Sequence, residues 1–188
     1  MDFQIALLLG QDGLTNGAIY ALLALALVLV FAVTRVIFIP QGEFVAYGAL
    51  TLAMLQAGKL PATLWMIAAL GAAIVVIDGA IAIRHGAARR LPRIVLSNLG
   101  VPLALLLIVP NINAAGLPLI AQIALTLAVV VPLGPMIYRL AYQPIAEAPV
   151  LILLIVSVAV HVVLIGLGLL FFGAEGTRTP AFTDGTLD

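Results

Sequence analysis

The chain has 188 residues, 64% apolar and 9% charged, with a mean hydropathy of +1.29, whereas a water-soluble domain carries about 25% charged and about 45–50% apolar residues. Eight Lys and Arg balance eight Asp and Glu, so no basic excess exists for a nucleic-acid backbone. The absence of cysteine excludes disulfide frameworks, thiolate metal ligands and cysteine nucleophiles. What is left is an integral membrane protein.

A bilayer core about 30 Å thick takes about 20 apolar residues of helix. Six stretches meet or approach that length, and the predicted fold is all-α: a polytopic transmembrane bundle of about six spans. The first, residues 17–34, has no polar side chain from Ala21 to Val33. The N-terminal Met1-Asp2-Phe3-Gln4 lacks the positive stretch of a signal peptide, so this span is read as retained. Gly13 and Gly17 form a Gly-x-x-x-Gly that allows close helix packing, and Gly48 is assigned the same role in the second span. The second span is 36–55. The third, 62–83, follows a tight turn at 58–61 and ends near Asp78, which can snorkel or pair with a neighbouring helix. A polar loop at 84–93 precedes the fourth and shortest span, 94–110. A neutral turn at 111–116 leads to the fifth, 117–138, and a longer connection at 139–149 to the sixth, 150–172. These continuous apolar runs do not alternate as the strands of a β-barrel would.

With the N-terminus outside, the inner loops hold Arg35, Arg84, Arg89, Arg90, Arg93 and Arg139, and the outer ones hold Lys59 and Arg178. Six against two favours this N-out orientation, which Asp2 and Asp12 also fit. Trp65, Tyr138 and Tyr142 fall where interfacial aromatic belts form. The cluster of Arg84, Arg89, Arg90 and Arg93 suits anionic headgroups, or a cytoplasmic partner.

The second span breaks the apolar rule. Pro40, Gln41, Gly42 and Glu43 place a proline, an amide, a glycine and a carboxylate in one turn, with Tyr47 one turn further on. Pro40 removes a backbone donor, and a carboxylate at depth costs roughly 2.5–3.5 kcal/mol on insertion scales. Freed backbone in a membrane is tolerated only against protein or a water-filled cavity. The expectation is a broken or tilted helix, with Gln41 and Glu43 turned away from lipid. Pro40, Gln41, Gly42, Glu43 and Tyr47 are therefore the candidate lining or hinge of a translocation pathway, and a helix-packing role is the plainer alternative. Ser157 and His161 lie four residues apart on one face of the sixth span. Without a Gly-x-Ser-x-Gly elbow or a third partner, they read as a local contact rather than a hydrolase site. No catalytic, metal or cofactor site is expected.

Three segments resemble a known family, the permease subunits of branched-chain amino-acid ABC importers of the Liv type. Gly13-Leu14-Thr15-Asn16-Gly17-Ala18-Ile19-Tyr20-Ala21-Leu22 resembles its opening G(L/V)xxGxxYAL. Arg35-Val36-Ile37-Phe38-Ile39-Pro40-Gln41-Gly42-Glu43-Phe44 resembles its (R/M)(V/I)(I/L)NFAxG(D/E) signature. Tyr138-Arg139-Leu140-Ala141-Tyr142-Gln143-Pro144 is similar to its xRxxYRP loop. The run 154–161, then Phe172-Gly173, Pro180 and Phe182, resembles the family's helix and outer segment after that loop, and the match covers about two-thirds of the chain. The family's Asn-Phe-Ala is Phe38-Ile39-Pro40 here, its Arg-Pro is Gln143-Pro144, and residues 60–116 read as an inserted helix pair. The chain is accordingly expected to be a single permease domain, 1–188, lacking the family's coupling loop and so incomplete. The resemblance implies a bacterial inner-membrane importer subunit working by alternating access. It also implies cytoplasmic ATP-binding subunits, an external substrate-binding protein and a second permease subunit as partners in the lipid bilayer. A truncated, non-transporting membrane protein or assembly factor is the alternative.

Overall fold

The computed structural model describes residues 3–174; Asp2, Arg178, Pro180 and Phe182 lie outside the described residues. Seven α-helices succeed one another: α1 Phe3–Thr34, α2 Gln41–Gln56, α3 Ala62–Arg84, α4 Leu91–Ile108, α5 Leu119–Val130, α6 Leu133–Ile137 and α7 Val150–Phe172. A π turn at Tyr138–Tyr142 and a 3-10 turn at Gln143–Ile145 continue α6. No strand occurs among the described residues. The fold is all-α.

Among the described residues five helical stretches have the length and apolarity to cross a bilayer: Ile5–Thr34, Ala62–Arg84, Ala88–Asn111, Leu119–Ile145 and Val150–Phe172. The chain is a multi-pass membrane protein. The predicted second span is not among the five. Its helix, α2, has 16 residues, or about 24 Å at 1.5 Å per residue. The missing length is residues 35–40, which are not helical. Arg35 stops α1 with φ +58°, a left-handed conformation common just past helix ends. Pro40 then sets the start of α2. The break expected inside the second span therefore stands before its helix. At the other end α1 begins 14 residues earlier than the apolar run suggests, because Asp12 and Asn16 do not break a helix that leaves the hydrocarbon.

The core gathers around α3, which packs against α2, α4, α5, α6 and α7. Leu55, Leu64, Ile67, Val129 and Leu133 are fully buried there. The first helix of the predicted inserted pair thus supplies the centre of the bundle, and the second packs on it. Its two helices are held close by small residues. A Cβ on Gly71 would lie 2.6 Å from the Asn98 carbonyl oxygen, and one on Gly79 would lie 3.3 Å from Leu91. Pro102 has no N–H to offer that Asn98 carbonyl four residues earlier, and the carbonyl faces Gly71 instead.

Helix α1 stands largely apart, with none of its apolar window buried. The close packing expected at Gly13, Gly17 and Gly48 is not made within this chain, since a Cβ at any of them would meet nothing within 4 Å. The reason is position: Gly13 and Gly17 lie on the isolated helix, and Gly48 faces away from its neighbours. Close helix contact falls instead at Gly71, Gly79 and Gly168.

Candidate functional site at the start of α2

The non-helical residues 35–40 leave backbone donors that a membrane cannot hydrate. Side chains satisfy two of them. The Val36 N–H donates to Thr34 Oγ1 at 3.2 Å. The Ile39 N–H is shared between the Ile37 carbonyl at 3.0 Å and Ser157 Oγ at 3.0 Å, the latter joining the start of α2 to α7. The Tyr142 hydroxyl donates to the same Ser157 oxygen at 3.2 Å. Ser157 is wholly buried and sits seven residues, about 10 Å, along α7. The start of α2 is therefore seated inside the bundle rather than at its end. Phe38 closes this seat, with ring centroids 5.6 Å from Phe44 and 6.0 Å from Tyr142.

One turn later Glu43 faces the same helix. Its Oε1 lies 2.8 Å from Nδ1 of His161. No aligned hydrogen bond joins the two, so the pair is a close polar contact. The Glu43 side chain is 15% exposed, and its Oε2 is buried without a donor among the described residues. The first turn of α2 adds favourable dipole for the carboxylate. One further turn on, the Tyr47 hydroxyl donates to the Leu164 carbonyl at 2.6 Å. Its ring packs on Gly168 and lies 5.9 Å from Phe172. Ser157, His161, Leu164 and Gly168 rise along one face of α7. Beside this seam a groove of about 310 Å³ runs from Glu43 past Leu50 and Ile165 to Phe172.

The predicted lining residues thus divide. Pro40, Glu43 and Tyr47 meet or pack into the bundle, Gln41 is half-buried, and Gly42 is exposed with nothing within 4 Å of a Cβ. Ser157 and His161 share a face as their spacing predicts, but they serve different partners. The serine takes Ile39 and Tyr142, and the histidine takes Glu43. The role of Tyr142 as a buried hydroxyl donor has no signal in the sequence, because an aromatic near a span end reads first as interfacial.

An ion pair joins α3 to the turn that continues α6, where Arg139 Nη2 approaches Asp78 Oδ2 to 2.6 Å. Of the two roles open to Asp78, pairing is the one realised. Among the described residues no cluster of three His, Asp or Glu could hold a metal ion. No family model matches the chain, and no curated protein and no solved structure matches it.

Proposed function

We propose that the chain is a permease-type subunit of an ABC importer, with the α2–α7 seam forming part of its translocation pathway. One observation carries the reading. An acid and an imidazole face each other inside the membrane, where a helix begins mid-bundle beside a groove. Ionisable groups at that depth are costly and are kept mainly at pathways and relays. Broken backbone at membrane depth belongs where it lines a cavity. The Ile39–Ser157, Glu43–His161 and Tyr47–Leu164 contacts all run from α2 to α7. Loosening them together would let α2 swing about residues 35–40, the motion alternating access needs.

The resemblance at 13–22, 35–44 and 138–144 supports branched-chain or related amino acids as cargo in a bacterial inner membrane. It likewise supports cytoplasmic ATP-binding subunits, an external binding protein and a second permease subunit as partners. The chain itself performs no chemistry in this reading. Two experiments test it. Glu43→Gln and Gly42→Leu, introduced into a transporter complete with this segment, should reduce uptake; unchanged uptake in both would sink the pathway reading. A pull-down in mild detergent should recover ATPase subunits. Their absence would favour the non-transporting assembly factor.

A further inference from the structure

A second groove, of about 340 Å³, opens between α4 and the α6 segment, on the other side of the bundle. It is polar at one end and apolar at the other. Ser97 and Arg139 mark the polar end. Pro102 and Pro132 mark the apolar one, five and seven residues away, or about 8–10 Å along their helices. Prolines widen the cleft: Pro102 interrupts the α4 ladder, and Pro132 and Pro135 bracket the start of α6.

The Ser97 hydroxyl and both Asn98 amide protons are spent locally: Ser97 on the Ile94 carbonyl, Asn98 on that carbonyl and on Ser97 Oγ. The donors left for a ligand are guanidinium groups. Arg139 contacts Asp78 through Nη2, and a guanidinium has five donors, so others remain for the groove. Arg93 is exposed one turn before Ser97 on the same face of α4. Residues 78–93 and 139–147 together hold five arginines against the carboxylates of Asp78 and Glu147.

We infer that this groove is a binding site for an anionic phospholipid, its phosphate held by Arg93 and Arg139 and one acyl chain lying along Val101, Pro102 and Pro132. Charge selects the headgroup, and the apolar end selects a lipid over free phosphate. A basic pocket between helices at headgroup level is a recognised setting for such lipids. The site rests on α4 and the α6 segment, with Asp78 of α3 beside Arg139, and is independent of the pathway reading at α2 and α7.

The test uses the full chain in nanodiscs of equal phosphatidylglycerol and phosphatidylcholine, released into mild detergent and weighed by native mass spectrometry. Phosphatidylglycerol should be retained over phosphatidylcholine, and each arginine removed should cost about fivefold in that preference. Arg93→Gln leaves the Asp78–Arg139 pair intact. The double variant Asp78→Asn/Arg139→Gln removes the groove arginine without stranding a carboxylate. Both should lose preference, and Val101→Trp should expel the lipid by filling the apolar end. Lys59→Gln, at the opposite end of the bundle, should behave as wild type. Equal retention of the two lipids by wild type overturns the inference, as does undiminished preference in both arginine variants. Displacement by millimolar inorganic phosphate would make free phosphate the ligand and overturn the lipid assignment.

Discussion

Ser157 joins three parts of the chain through one oxygen, and Ser157→Ala is the most informative single change. The substitution removes little volume but strands the Tyr142 hydroxyl and leaves the Ile39 N–H with the Ile37 carbonyl as its one acceptor. A buried donor left unmet costs about 1–3 kcal/mol, whereas side-chain hydrogen bonds between membrane helices average about 0.6 kcal/mol and reach about 1.7. Tyr142 is 2% exposed, so its hydroxyl does not find water easily. The expected loss is about 1.5 kcal/mol, within a range of about 1–3. Reversible unfolding in mixed micelles measures it. Tyr142→Phe removes a donor while leaving Ser157 bonded to Ile39, and should cost about 1 kcal/mol or less. The double variant should cost less than the sum, because no hydroxyl is then stranded. A Ser157→Ala stability within about 0.5 kcal/mol of wild type, or strict additivity in the double variant, would refute the seat assigned to residues 35–40.

Three further outcomes rest on named contacts. Gly71→Ala drives a Cβ against the Asn98 carbonyl, so α3 and α4 must part at a cost of about 1–3 kcal/mol, while Gly17→Ala should change unfolding by about 0.5 kcal/mol or less. His161→Leu removes the polar side chain that faces Glu43 and should cost about 1–3 kcal/mol; adding Glu43→Gln should restore most of that in the same unfolding assay, and an unrescued double variant would deny the pair. Asp78→Asn should shift stability by about 1 kcal/mol or less, because Arg139 is 41% exposed and hydrates without its partner; a larger loss would mean the pair is more deeply embedded than its exposure indicates.

Hydropathy alone determined that the chain is an all-helical membrane protein, and it placed the late spans well: 62–83 against Ala62–Arg84, and 150–172 against Val150–Phe172. The reason is that insertion into hydrocarbon is governed by composition over about 20 residues, a local property. Pro40, Gly42 and Glu43 also declared a disturbance from composition alone, since each is out of place in an unbroken span. Where the helix breaks was not legible. Hydropathy does not see that Arg35 turns left-handed, or that α1 continues as a helix past its apolar run.

The partners were decided only in three dimensions. Glu43 and His161 are 118 residues apart, as are Ile39 and Ser157. Nothing in either helix says which face meets the other. A soluble helix announces its buried side by alternating apolar and polar residues. Residues 21–33 of α1, and α7 apart from Ser157 and His161, are apolar all round, because lipid and protein interior ask for the same side chains. Their inward faces are chosen by small residues, by backbone donors without water and by a few polar groups that find one another on folding.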